Sequence, residues 1–345
     1  MLFTFANWSA KQNPGSPHLK RAKFIRLAGG ALAGLVSLAC DAGSRPKDKK
    51  TPATIEWTRG SNPFIDRAPR VASRDPVLHY HQGVLRCYYT AVDNGGLFVD
   101  EIHSSDFITW SEPRRLTVPG LNFSSPGNVI RDGDRWILCV QSYPILPGEK
   151  YGSEESRLWL MSSDNLVDWS EPEQINPEGC RGTWTDSPRQ IDPYLVSWQD
   201  QYWCFYKTSG CLGLLVSEDL QNWSEAVPDR PVISRDWTPD GATVENPCVI
   251  HDGESFVMFF ARVGRERGIG VARSCNLTDW EDIRYLEFPD LAWADSGPTA
   301  AMVIDLRDSH GFWLMAFHGE RDDDVHGKAA LGLAISNDLE NWELV

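Results

Sequence analysis

The sequence predicts an all-β fold, a five-bladed β-propeller with four antiparallel strands per blade. Three observations carry this expectation. A phrase that begins with Ser and ends in Trp recurs five times along the 345 residues. Each copy is preceded by a Pro that opens an apolar run. Between these landmarks the apolar residues alternate with a period near two, and Gly and Pro recur too often for helices of any length.

Taken in chain order, residues 1–40 read as an export signal. Lys20, Arg21, Lys23 and Arg26 precede an apolar run from Leu27 to Leu38, closed by Ala39 and Cys40. The run is too short for a bilayer span, which takes about 20 apolar residues. Gly29, Gly30 and Gly34 also weaken it as a buried helix. Two processing routes remain open. Ser37-Leu38-Ala39 fits signal-peptidase cleavage, and Cys40 offers a site for a lipid anchor, although Ser37 stands where a lipobox carries Leu. Either route predicts an exported protein, periplasmic or extracellular, that touches a membrane only through an anchor at Cys40. Residues 41–53 read as a polar linker. The propeller is expected over residues 54–345, with residues 54–58 completing an outer edge and closing the ring.

The recurring phrases end at Trp110, Trp169, Trp223, Trp280 and Trp342, spaced 59, 54, 57 and 62 residues apart. Ahead of them stand Asp75-Pro76, Ser125-Pro126, Asp192-Pro193, Glu245-Asn246-Pro247 and Ser296-Gly297-Pro298, each opening a first strand. Turns at Gln82-Gly83, Asp132-Gly133 and Asp252-Gly253 lead to second strands. Third strands run into the phrase at residues 96–102, 212–216, 268–272 and 331–335, and a short fourth strand follows each Trp. The repeated Asp106, Asp164, Asp219 and Asp338 suit a turn between third and fourth strands, where a carboxylate binds backbone N–H groups. The Trp side chains are expected to fill the space between blades.

Composition narrows the partners. The first fifty residues hold nine of the 33 basic and two of the 48 acidic side chains, so the remainder carries 24 against 46, a net charge of −22. Nucleic-acid binding needs Lys/Arg stripes that such a body lacks. The 41% hydrophobic content suffices for a packed core, and a monomer is expected. Seven cysteines follow Cys40 at loose spacing, which excludes a disulfide scaffold or a C-x-x-C metal motif and leaves Cys204 with Cys211 as one conceivable pair. The run Asp322–Asp324 with His326 reads as a solvated loop.

In a propeller the first strands surround the axis, and their N-terminal ends meet at one mouth. That position holds Asp75, Ser125, Asp192, Glu245 and Ser296. Structural duty would make the five alike, as at the Trp position; three acids among unlike partners read as a site. Clustered carboxyls either hold a hard cation or run glycoside hydrolysis, one donating a proton and another acting as base or nucleophile.

Asp in blade one, Asp in blade three and Glu in blade four, each beside a Pro, resemble glycoside hydrolase family 43 and its wider clan of five-bladed furanosidases. The resemblance spans residues 54–345. It implies inverting hydrolysis of arabinofuranosyl or xylosyl linkages in polysaccharide-derived oligosaccharides. Asp75 would be the general base, Glu245 the general acid, and Asp192 would tune and orient that acid. The chain departs from the family at Asn246-Pro247, where Gly-Pro or Ala-Pro is usual, at Ser124-Ser-Pro-Gly127, and at Ser296-Gly297, where many members place a His near a central ion. No cofactor is therefore expected, and a calcium or sodium ion at the axis is not assigned.

The second strands return to the same mouth and end at Thr90, Gln141, Lys207, Arg262 and His318, a ring of polar side chains around the acids. Trp184, Trp237 and Trp293 sit in loops entering that face and are the candidate sugar-stacking platforms, with Tyr143 a weaker one. Two other functions remain open: a glycoside phosphorylase using Lys207, Arg262 and His318 for phosphate, and a non-catalytic sugar-binding lipoprotein.

Overall fold

The computed structural model describes residues 55–66, 71–264, 266–320 and 328–345. The expected export signal and linker, Cys40 and residues 322–326 lie outside them. Five four-stranded antiparallel sheets form the five blades of a propeller. Blade one is β1 (Ala72–His81), β2 (Val84–Asp93), β3 (Gly96–Ser104) and β4 (Arg114–Arg115). Blade two is β5 (Val129–Asp132), β6 (Arg135–Gln141), β7 (Leu158–Ser163) and β8 (Glu173–Ile175). Blade three is β9 (Ile191–Trp198), β10 (Gln201–Thr208), β11 (Cys211–Ser217) and β12 (Ser224–Glu225). Blade four is β13 (Thr243–His251), β14 (Phe256–Val263), β15 (Arg267–Ser274) and β16 (Glu281–Tyr285). Blade five is β17 (Pro298–Asp305), β18 (Trp313–Gly319), β19 (Ala330–Ser336) and β20 (Glu343–Leu344).

The recurring phrase is a turn, and its chemistry explains its recurrence. Ser104 Oγ donates to Asp106 Oδ1, which also accepts from the backbone N–H of Ile108 and Thr109. The same bonds recur around Asp219 and Asp338. In blade two Asn165 takes this place instead of Asp164, and in blade four Asn276 does. The next residue is left-handed in every blade, at Phe107, Leu166, Leu220, Leu277 and Leu339. These backbone donors hold the Asp106 and Asp219 carboxyls well below the ordinary range.

The phrase Trp side chains bridge blades as expected. Trp169 meets Tyr88 of blade one edge-on, Trp280 meets Phe205 of blade three, and Trp342 meets Phe259 of blade four. Trp342 is buried, and its indole N–H donates to the Leu339 carbonyl. Trp342→Ala is expected to cost about 3–5 kcal/mol of unfolding free energy, read as a lower urea midpoint.

Ring closure differs from expectation. Trp57 enters a short 3-10 turn (Trp57–Arg59) and packs between Phe107 of blade one and Phe312 of blade five. Residues 62–65 do the joining: Phe64 N–H donates to the Leu331 carbonyl, Leu331 N–H to that of Ile65, and Asn62 Nδ2 to that of Leu333. They occupy the part of the β19 edge that two-residue β20, paired only at Ala334 and Ile335, does not reach. All seven described cysteines are free, Cys204 and Cys211 among them: in register they oppose Leu215 and Thr208.

Candidate active site

The innermost strand of each blade carries a β-bulge near its start. The register breaks between Arg74 and Val77, Ile191 and Tyr194, Glu245 and Cys248, and Thr299 and Met302. In blade two the Ser124–Gln141 bridge precedes the strand pairing at Val129. Each bulge holds one left-handed residue, with φ of 48° at Asp75, 38° at Ser125, 52° at Asp192, 47° at Asn246 and 49° at Ala300. Non-glycine residues seldom adopt this conformation, and those preceding Pro are restricted further. Four of the five are short and polar, the type that tolerates it best. Such strain concentrates at functional sites.

This register corrects the ring expected from the sequence. The equivalent of Asp75 in blade four is Asn246, and in blade five Ala300; Ser296 lies ahead of β17. Glu245 stands one residue earlier, level with Arg74, Ser124, Ile191 and Thr299. The three acids still share one cleft of about 600 Å3. Gly127 lets the blades meet beneath it, because any Cβ there would strike the Pro193 carbonyl.

Asp75 is held from several sides. Its Oδ2 accepts from Thr90 Oγ1 at 2.9 Å and Ser125 Oγ at 3.1 Å, and its Oδ1 lies 3.5 Å from Asn246 Nδ2. Its backbone N–H donates to His318 Nδ1 at 3.0 Å. That bond puts the ring proton on Nε2, which lies 3.5 Å from Glu320 Oε1. Burial pushes His318 below its ordinary pKa and keeps it neutral. Glu320 is fully buried and takes Arg74 and Arg267, each at 2.6 Å. Burial alone would raise its pKa, but the nearby His318 imidazole and the two cations outweigh it and bring it to about 2. Neutral His318, backed by the Glu320–Arg74–Arg267 charge cluster, thus braces Asp75 from behind.

Asp192 N–H donates to Gln141 Oε1 at 2.6 Å, and the backbone N–H of Asn246 lies 3.4 Å from Asp192 Oδ2. Burial first, then the charge of Glu245, raises Asp192 to about 7. Glu245 is half-buried; partial desolvation would raise its pKa, but Lys207 Nζ at 2.7 Å draws it below the ordinary value. Asp192 therefore keeps its proton up to near neutral pH, where Glu245 is already ionised.

Of the side chains expected to meet a ligand, Asp75, Asp192, Glu245, Gln141 and Lys207 line the cleft. The other five do not. His318, 1% exposed, lies behind Asp75 and cannot touch a ligand. Arg262 opposes Val244, and Ala261 is the residue facing Glu245; this one-residue offset turns Arg262 to the other face. There it pairs with Asp240 and Glu266 and stacks on Tyr285. Trp293 lies flat on Phe317 over Gly319, whose missing Cβ makes the room. Trp184 covers Gly182, and Trp237 is 44% exposed; neither lines the cleft. The aromatic side chains that do are Tyr143 and Tyr151. Sequence reasoning missed Tyr151, Arg74, Arg189, Arg235, Arg267 and Asn246 as lining residues. The register of the bulge was the available signal for Arg74 and Asn246, which flank the acids in sequence.

Among the described residues no group of three or more His, Cys, Asp or Glu side chains is placed to hold a metal ion. The small cavity along the axis beneath the bulges is lined by Asp75, Ser125, Asp192 and Asn246 together with apolar side chains such as Val77, Pro193, Ala301 and Met302.

The fold and cleft define the class: a five-bladed propeller with an acid-bearing cleft at the mouth of its axis. No family model matches the chain, and no curated protein does. Solved structures share the fold. An exo-1,5-α-L-arabinanase from a bovine ruminal metagenomic library superposes with a TM-score of 0.59 at 17% identity, covering 79% of this chain and 96% of its own. A family 43 endo-arabinanase from Bacillus licheniformis gives 0.58 at 17%, covering 81% and 99%. A family 32 β-fructofuranosidase from Bombyx mori gives 0.59 at 13%, covering 84% and 67%.

Proposed function

We propose that this cleft hydrolyses glycosidic bonds in polysaccharide-derived oligosaccharides, with arabinofuranosyl or xylosyl linkages favoured and inversion at the anomeric carbon. The observation that carries the proposal is three carboxyls in one cleft with different partners: Asp75 held by hydroxyl donors, Glu245 paired with Lys207, and Asp192 buried beside them. The arabinanases and the fructofuranosidase of the same fold support it. Asp75 takes a proton from water as the water oxygen bonds to the anomeric carbon. The Asp192–Glu245 pair gives its proton, through Glu245, to the leaving oxygen as the glycosidic bond breaks. Gln141 fixes the Asp192 backbone, and Lys207 fixes Glu245.

One pH dependence follows. The pair loses its last proton near pH 7, so kcat/KM falls above that value. In Asp192→Asn, Glu245 remains under Lys207 and, more weakly, Arg74 and Arg189, and the basic limb moves below its ordinary value of 4.5. Activity at neutral pH then drops on the order of 100-fold. A limb that stays near neutral in the variant contradicts the shared proton.

The general test is product release from aryl arabinofuranosides, xylosides, galactosides and fructans, with and without inorganic phosphate. Phosphate-independent release supports hydrolysis, and strict phosphate dependence would select a phosphorylase. Calorimetric binding with no product after long incubation would mark a sugar-binding protein.

A further inference from the structure

The cleft is lined by five cationic side chains (Arg74, Arg189, Lys207, Arg235 and Arg267) against three acids, in a body whose balance is strongly acidic. Three of the five are already matched: Arg74 and Arg267 by Glu320, and Lys207 by Glu245. Arg189 and Arg235 are not. Among the described residues neither guanidinium has a carboxylate partner, while most other arginines in the protein do. Arg157 also lacks an ion pair, but its guanidinium is satisfied by the carbonyls of Pro177, Glu154 and Ser156.

Arg189 is built into the wall. It lies over the Tyr143 ring at 5.3 Å, and its Nε is buried without a hydrogen-bond partner. Its charge reaches Asp192, Glu245 and Lys207, which places it beside the Asp192–Glu245 pair. Arg235 stands on the loop ahead of β13, exposed at the cleft edge, with its Cδ close to where a Cβ on Gly210 would lie. A buried donor left unmade is costly, and guanidinium forks match planar oxyanions.

We infer that Arg189 and Arg235 receive an anionic substituent of the sugar, a uronate carboxylate or a sulfate ester, so that the preferred ligand is an acidic oligosaccharide. This inference rests on the reading of the cleft as a sugar site and narrows it. The charge would act twice: it anchors the sugar, and it discriminates against neutral analogues, which leave both guanidinium groups without a counter-charge.

The test is calorimetric titration of the full chain with one disaccharide in three forms: neutral, uronate-bearing and sulfated. Binding is read at low and at high sodium chloride. At least one acidic form is expected to bind tenfold or more tighter than the neutral form, and the stronger of the two identifies the anion. High salt is expected to shrink the advantage, as screening requires. Arg235→Ala, at an exposed position that does not endanger folding, should cut the acidic-to-neutral ratio severalfold, and Arg189→Met with Arg235→Ala should bring it near one. Equal or better binding of the neutral form overturns the inference. So does an acidic preference that survives the double variant with its circular dichroism unchanged. Tight binding of free inorganic phosphate that raises product formation also overturns it, because the anion would then be a co-substrate. Selective binding of acidic sugars without any cleavage leaves the inference standing and removes hydrolysis. Cleavage of neutral glycosides without acidic preference does the reverse.

Discussion

Asp75→Asn is expected to lower kcat by about 10²–10⁴-fold, the span general-base catalysis supplies, while the protein stays folded. Asn suits the position on three counts. It tolerates the left-handed backbone found there. Its carbonyl oxygen can still accept from Thr90 and Ser125. Its backbone N–H still reaches His318. What it cannot do is take a proton from water. The loss should therefore appear in kcat, fall equally on good and poor leaving groups, and leave the urea midpoint where it was. A variant with unaltered kcat would remove Asp75 from the chemistry.

Glu245→Gln is expected to show the complementary pattern. Unactivated oligosaccharides need a proton on the leaving oxygen, and their cleavage should fall about 10²–10⁴-fold. Aryl glycosides with acidic phenols as leaving groups need little protonation and should lose far less. The substitution also leaves Lys207, nearly buried, without its carboxylate at 2.7 Å. Removing one partner of a buried pair costs about 3–5 kcal/mol when burial is complete. Glu245 is 27% exposed, and a Gln oxygen can still accept, so a smaller loss is expected here. A loss independent of leaving group would contradict the acid role.

The blades were legible because their signals are local. The Ser-x-Asp/Asn turn needs a hydroxyl and a carboxylate or amide at fixed offsets, and a left-handed residue after it, so the phrase had to recur. The acids were legible for the same reason in blades one and three, where Pro marks the bulge. Blade four hid a one-residue offset, because its Glu stands two residues ahead of Pro247 and so falls before the bulge. Blade five hid more: its bulge is Ala300-Ala301, with no Pro, and Pro298 lies ahead of it. Counting from Pro therefore placed Ser296 where Ala300 belongs, and counting along the second strand placed Arg262 where Ala261 belongs. Loop side chains were beyond reach, since the way a loop residue turns depends on its neighbours in space. Trp293 found Phe317, and Arg189 found Tyr143. The Glu320 brace was equally invisible, because Arg74 and Arg267 reach it from the two flanking blades and lie far from it in sequence.

The most direct measurement is proton NMR of the anomeric signals during the first minutes of digestion of an arabinofuranosyl or xylosyl oligosaccharide. Wild-type protein and Asp75→Asn would be followed side by side. The expected result is a first-formed product of inverted configuration from the wild type, appearing without added phosphate, and almost none from the variant. A retained anomer, or equal release by both proteins, would contradict the assignment of Asp75 as the base of an inverting hydrolase.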